Sequence, residues 1–61
     1  MRVEVRLRNG MVLDELMWSG TEDRLIESRM RMEWLVFRDA DTDRLVWVRM
    51  DDVVAMELRG A

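Results

Sequence analysis

Apolar and charged residues alternate at the start of the chain. Val3, Val5 and Leu7 are separated by arginine and glutamate, which is the period of two expected of a strand with one buried face. Asn9-Gly10 follows directly and favours the positive φ angles of a two-residue type I′ hairpin turn. The pattern therefore predicts a first strand over about residues 2–8 and a second over about 11–18.

The register of this first hairpin leaves one residue out of place. With a two-residue turn, Val3 faces Leu16 and Val5 faces Asp14. Asp14 does not fit a buried face. We expect either that Asp14 lies at a sheet edge or that a β-bulge re-phases the strand and turns Leu13 inward.

The middle of the chain fits two periods. Ser19 and Glu22 have the spacing of a capping box, which favours a short helix at this point. Ile26, Met30, Trp34 and Phe37 have helical spacing. Met30, Met32, Trp34 and Val36 also fit one face of a strand that has Arg29, Arg31 and Glu33 on its opposite face. The Trp-Leu-Val-Phe run favours a sheet. We predict a helical turn or loop over about 20–27 and a strand over about 29–38.

The last third of the chain predicts two more strands. Residues 39–43 are rich in aspartate, which is typical of a polar turn. Strands are expected over 44–50 and 53–58, with Asp51-Asp52 as a tight corner between them, and no proline interrupts them. The fold class is therefore all-β. Five short strands in one domain over residues 1–61 imply a strongly bent antiparallel sheet, or a small SH3-like or Sm-like barrel.

The composition limits the cross-links, metal sites and catalytic groups that the chain can form. The chain has 61 residues without cysteine or histidine, so disulfides and Cys/His zinc sites cannot stabilise it. Lysine and tyrosine are absent too, and with them the common general bases and most nucleophiles. We expect no enzyme activity, no cofactor and no metal. Seven methionines and three tryptophans favour self-association, since tryptophan is enriched at interfaces.

One aspartate triplet resembles the opening of a calcium loop. Asp39, Asp41 and Asp43 have the D-x-D-x-D spacing. An EF-hand requires glycine next, where Arg44 stands, and a bidentate glutamate at the twelfth position, where Met50 stands. The triplet is therefore interpreted as a solvated turn.

Charge and hydropathy bear on location and partners. No segment approaches the roughly 20 apolar residues of a membrane span, and the N-terminus lacks the apolar region of a signal peptide. We expect a cytoplasmic protein that does not bind membranes. The net charge of −3 argues against a generic polyanion binder.

Two segments resemble the motifs of Sm-like proteins. Val3-x-Val5-x-Leu7-x-Asn9-Gly10 resembles the opening of the first Sm motif, and the VRMDDVVAMEL segment resembles the strand pair of the second. The resemblance implies a bent five-stranded barrel that joins neighbours through its fourth and fifth strands into rings, and that binds single-stranded RNA. The chain also looks like short, arginine-rich, all-β accessory proteins of phages of GC-rich bacteria. That likeness implies a small non-enzymatic factor that modifies a host machine or assembles in a particle.

Two functional hypotheses result. The first is a non-catalytic module for protein interaction or self-assembly, which binds another copy or a host protein through an exposed edge strand. The last strand is the expected site: Val54, Met56 and Leu58 would supply apolar contacts together with Trp47, and Arg49 a polar anchor.

The alternative is a nucleic-acid module that uses the arginines Arg2, Arg6, Arg8, Arg29 and Arg31. Glu4 and Glu33 are expected on the same faces as these arginines. Cross-strand ion pairs therefore explain the arginines better than phosphate binding does.

Overall fold

The computed structural model describes residues 1–59 and shows one antiparallel sheet with one short helix. The strand order is β4-β3-β2-β1-β5, so β4 and β5 form the two edges. The elements along the chain are β1 Arg2–Leu7, β2 Val12–Met17, α1 Glu22–Arg31, β3 Trp34–Asp39, β4 Leu45–Arg49, a 3₁₀ turn Met50–Asp52 and β5 Val53–Arg59. The predicted all-β class, with one helical segment in the middle, is confirmed.

The sheet is bent, because its two edge strands follow each other in the chain. In a flat sheet β4 and β5 would be four strand spacings apart, about 19 Å. The connection between them is the 3₁₀ turn alone, and four extended residue steps span at most about 14 Å. A flat sheet therefore cannot form, and the strands curl around the core.

The curl stops before a barrel closes. In residues 1–59 β4 pairs only with β3, and β5 only with β1. Of the two expected forms the bent sheet is present, and the SH3-like or Sm-like barrel is not. The helix offers a physical reason. Leu25 of α1 is only 2% exposed and belongs to the core, so the apolar face is covered without closure.

The core is formed by alternate residues of four strands and one residue of the helix. It consists of Val3, Val5, Leu16, Leu25, Leu35, Phe37 and Val48. The Trp18 ring packs at an angle against Phe37, with the ring centroids 5.8 Å apart. Alternation along each strand thus separates an inner face, on the core, from an outer face in solvent.

The first hairpin has a different turn from the predicted one. The Gly10 N–H donates to Leu7 O and the Leu7 N–H to Met11 O, at 3.0 and 2.8 Å. Gly10 has φ 90°, whereas Asn9 does not have a positive φ. This is a three-residue loop with glycine in the left-handed region, and the type I′ prediction is wrong. Asn9 instead uses its side-chain oxygen to accept from the Met11 N–H at 2.9 Å.

The bulge expected in β2 is present. Val3 pairs with Leu16, but Val5 pairs with Leu13, with an irregularity between the two pairs. Leu13 packs against the core and Asp14 is exposed. The second of the two expected solutions for Asp14 is thereby confirmed.

The helix is longer than predicted and has another N-cap. Thr21, not Ser19, caps it by accepting from the Arg24 N–H at 3.2 Å. The helix continues to Arg31, so the strand predicted over 29–38 is wrong for its first five residues. Two features of the last turn favour this extension: Arg29 and Arg31 are basic residues near the helix C-terminus, and Arg31 forms an ion pair with Glu27 one turn earlier.

The second half of the chain follows the prediction closely. Asp39 accepts hydrogen bonds from the Asp41 and Thr42 N–H groups at 2.8 and 3.2 Å, which is the polar turn expected there. Asp43 has φ 58°. Strands β4 and β5 lie within a residue or so of their predicted bounds, and the corner between them is the 3₁₀ turn.

Candidate functional site

Four large apolar residues are exposed together on the outer face of β3 and β4. We call them the outer patch: Trp34, Val36, Leu45 and Trp47. Val36 pairs directly with Trp47 across the two strands. The tryptophans are 47% and 63% exposed. Clusters of this kind mark interaction sites more often than single exposed apolar residues do.

Polar residues surround the outer patch. Arg49 lies 3.7 Å from carboxylate oxygens of both Glu33 and Asp51. Arg38 lies 3.1 Å from Asp43. These ion pairs are solvent-exposed and contribute about 0–1 kcal/mol each. An apolar centre with a charged rim is the usual anatomy of a protein interface.

The free backbone groups of β4 belong to the residues that carry the outer patch. The Met50 N–H donates to Glu33 O, and the Asp39 N–H to Arg44 O, both at 2.8 Å. Hydrogen-bonded pairs alternate along an antiparallel ladder. Residues 44 and 50 are thus in hydrogen-bonded pairs with β3, and alternation puts Val46 and Val48, the inner-face residues of β4, in such pairs as well. The outer-face residues Leu45, Trp47 and Arg49 therefore direct their N–H and C=O groups to the open edge.

The free backbone groups of β5 belong to the opposite face. The Leu7 N–H donates to Met11 O, on the β2 side of β1, whereas the Arg8 N–H donates to Asp52 O, on the β5 side. The even-numbered residues of β1 thus bond to β5, and Glu4 pairs with Glu57. It follows that Met56 and Leu58, whose side chains face the core, direct their backbone groups to the open edge.

A groove lies beside β5, between this strand and the helix. We call it the edge groove. It has a volume of about 190 Å³ and is lined by Leu25, Ile26, Arg29, Met56 and Leu58. Pockets for drug-sized ligands have volumes of about 300–1,000 Å³, so this groove is too small for such a ligand. It fits individual side chains instead. Arg29 is the only charged residue of the lining, and within residues 1–59 it makes no ion pair.

The predicted interface residues divide between the two edges. Trp47 and Arg49 lie on the outer face of β4, and Val54 is 57% exposed at the start of β5. Met56 and Leu58 are half-buried and line the edge groove.

The sequence prediction did not include the rest of the outer patch, Trp34, Val36 and Leu45. The available signal was the strand alternation from residue 34 onward. It competed with a helical period, and the buried face proved to be that of Leu35 and Phe37.

The predicted nucleic-acid arginines do not form one stripe. Arg2 pairs with Glu15 at 2.9 Å, and Arg8 donates to the Asp51 carbonyl oxygen. Arg6 lies in β1. Arg29 and Arg31 lie on α1, so their assignment to a strand is wrong. Glu4 forms its ion pair with Arg59 of the neighbouring strand, which is not one of these arginines.

The described part of the chain offers little else for binding chemistry. Among residues 1–59 no polar or charged residue is buried, and no three acidic side chains lie close enough to hold a metal ion. None of the helices in that range is long and apolar enough to cross a membrane. The resemblances to Sm-like and phage accessory proteins stay predictions. Comparison with protein-family models, curated proteins and solved structures gives no match for this chain.

Proposed function

We propose that this protein is a non-catalytic self-assembly module in which two copies join through β4. The two β4 strands would pair antiparallel about a twofold axis and continue the sheet from one copy into the other. The observation that supports this is the coincidence at β4 of free backbone groups with the outer patch. Leu45 and Trp47 supply both.

The register of such a pairing follows from the residues of β4. A twofold axis at Trp47 puts this residue opposite Trp47 of the second copy, and Leu45 opposite Arg49 of the second copy. These are hydrogen-bonded pairs, which exchange two bonds each, about six in all. No like charges lie opposite each other, so the cross-strand pairs favour this register.

Area sets the expected strength of the dimer. The exposed surface areas of Trp34 and Trp47 together equal about that of one whole tryptophan side chain, on the order of 150–250 Å². A stable interface buries about 800 Å² per partner. The outer patch alone is too small, so backbone pairing has to contribute. We therefore expect a dimer that dissociates on dilution.

A different assembly would join β4 of one copy to β5 of the next. Head-to-tail contacts of that kind generate a ring when the rotation closes, as the resemblance to Sm-like proteins implies. The twofold dimer has more support, because β5 begins with an irregularity in its pairing with β1 and is flanked by the edge groove. A bulge of this kind is a common means of blunting a sheet edge.

The test is the native mass of two matched variants. Trp47→Lys puts like charges opposite each other in the proposed dimer, and Val54→Lys makes the same change on the other edge. Both residues are more than half exposed, so both variants should fold. Light scattering over a dilution series should give a dimer for the wild type and for Val54→Lys. Trp47→Lys should give the 7.4 kDa monomer.

Two outcomes would contradict the dimer. A wild-type mass of 7.4 kDa at all concentrations would mean that β4 does not mediate self-association. A larger closed assembly that both lysine variants dissociate would point to β4-to-β5 pairing. Nucleic-acid binding has less support, because Arg2 and Arg31 already pair with Glu15 and Glu27. A steep loss of nucleic-acid binding with added salt would favour it.

A further inference from the structure

Strand β5 presents a second binding edge that differs from β4 in chemistry. We propose that the edge groove binds an extended segment of a different protein, which adds to β5 as a sixth strand. The segment carries apolar side chains at alternate positions and one carboxylate that pairs with Arg29. This site is on the opposite edge of the sheet from β4 and does not depend on self-assembly.

The backbone of β5 explains why the ligand is extended. Met56 and Leu58 direct their N–H and C=O groups to the open edge, because Glu57 between them and the flanking Ala55 and Arg59 bond to β1. In β-strand addition, such groups give affinity through main-chain hydrogen bonds, and pockets for alternate side chains give specificity. Both parts are present at β5.

The edge groove explains why alternate side chains are apolar. Residues of an added strand that pair with Met56 and Leu58 have their side chains on the same face as these two. That face is the one on which the groove lies, since Met56 and Leu58 line it together with Leu25 and Ile26 of the helix. One or two apolar side chains of the ligand would fill its volume of about 190 Å³.

Charge explains why the ligand is acidic at one position and is not a second copy. Arg29 lines the edge groove without a carboxylate partner among residues 1–59, in a chain of net charge −3. A carboxylate of the ligand would supply the missing partner. The other open strand of a second copy is β4, whose only charged residue is Arg49. That strand would bring a second positive charge to Arg29.

The test uses a defined peptide as the probe. It is a fluorescein-labelled nine-residue peptide that alternates valine with threonine and has glutamate in place of one valine. A second peptide has lysine at that position. Fluorescence anisotropy should show that the wild type prefers the glutamate peptide by about three- to fivefold, the upper part of the range of one exposed ion pair, because the lysine peptide also places a like charge beside Arg29. Arg29→Glu should reverse the preference in favour of the lysine peptide.

Amide shifts in NMR spectra locate the peptide. The glutamate peptide should shift the signals of Ile26, Met56 and Leu58 and leave those of Leu45 unchanged. A glutamate peptide that is N-methylated at its valines cannot pair with the strand and should not bind. Trp47→Lys, which changes the other edge, should bind the glutamate peptide as the wild type does.

Three results would overturn the proposal. The first is no binding of the glutamate peptide at about 1 mM, the weakest affinity worth considering. The second is equal affinity for both peptides, or a preference that Arg29→Glu does not reverse. The third is a change in native mass, in either direction, for Arg29→Glu, which would mean that a second copy occupies the groove. None of these results depends on whether β4 forms the proposed dimer.

Discussion

The two edge strands of the sheet, β4 and β5, differ in how well their unpaired backbone groups are protected. Each leaves unpaired backbone groups in solvent, and an unprotected edge invites pairing with another chain. Strand β4 has no bulge and carries exposed Leu45 and Trp47 beside those groups. Strand β5 has an irregular start, a helix beside it, and charged Glu57 and Arg59 on its outer face.

The difference comes from the face to which the free backbone groups belong. On β4 they belong to outer-face residues, whose side chains point into solvent. On β5 they belong to Met56 and Leu58, whose side chains point toward the core and the edge groove. A strand added to β4 would therefore have its hydrogen-bonded residues on an open surface. One added to β5 would have them in a groove with defined walls. The first arrangement suits a flat, self-complementary contact, and the second suits a selective one.

The largest effect on stability is expected from a truncation in the hydrophobic core, against which the whole sheet packs. Phe37→Ala truncates one of the most buried side chains of the core and should lower the free energy of unfolding by about 3–5 kcal/mol. A domain this small has little stability to lose. Urea unfolding followed by circular dichroism measures the change. Val36→Ala, at the next residue and on the outer face, is the control and should cost less than about 1 kcal/mol. Equal losses for the two variants would mean that the inner and outer faces of β3 are assigned wrongly.

The strands could be predicted from the sequence because their signal is local. Val3, Val5 and Leu7 alternate with charged residues, whereas β4 and β5 are mostly apolar runs bounded by aspartate-rich turns, and these strands were found within a residue or two. The helix boundary was not found, because Met30 and Trp34 fit both periods. The turn type was missed because Asn9 uses its side chain to bind the Met11 N–H.

The candidate sites depend on features that are not local. The identity of the edges follows from the strand order, which long-range pairing decides. Trp47 and Arg49 could be named from the sequence of their strand, but their separation from Met56 and Leu58 on opposite edges could not be predicted. The role of Arg29 depends on the helix extending beyond residue 27. The extension places Arg29 on α1, where it lines the edge groove beside β5.

A smaller effect is expected from the helix that forms one wall of the edge groove. Thr21→Ala removes the N-cap, whose side-chain oxygen accepts from the Arg24 N–H, and should cost about 0.5–2 kcal/mol. Ser19→Ala is the control and should cost almost nothing, since Ser19 is not the cap. Thermal unfolding compares the two. Because the cap supports α1, Thr21→Ala should also weaken binding of the glutamate peptide at β5 and leave the β4 dimer intact. A larger loss of stability for Ser19→Ala than for Thr21→Ala would mean that Ser19 is the N-cap, as the capping-box spacing predicts.

The smallest effect is expected from the ion pairs on the outer face, and it should differ between the two edges. Arg59→Gln leaves Glu4 without its cation, and the Glu4 side chain is only 15% exposed. Arg49→Gln leaves Glu33 and Asp51, which are both well exposed. Exposed pairs contribute about 0–1 kcal/mol and are screened by salt. We expect Arg59→Gln to cost up to about 1 kcal/mol and Arg49→Gln less than half of that. Urea unfolding at low and at high salt should show the cost of Arg49→Gln falling faster than that of Arg59→Gln, because salt screens exposed charges more strongly than the half-buried Glu4. If Arg49→Gln lowers the free energy of unfolding more than Arg59→Gln does, ion pairs stabilise β4 at least as much as β5. The two edges would then not differ as an apolar edge and a charged edge.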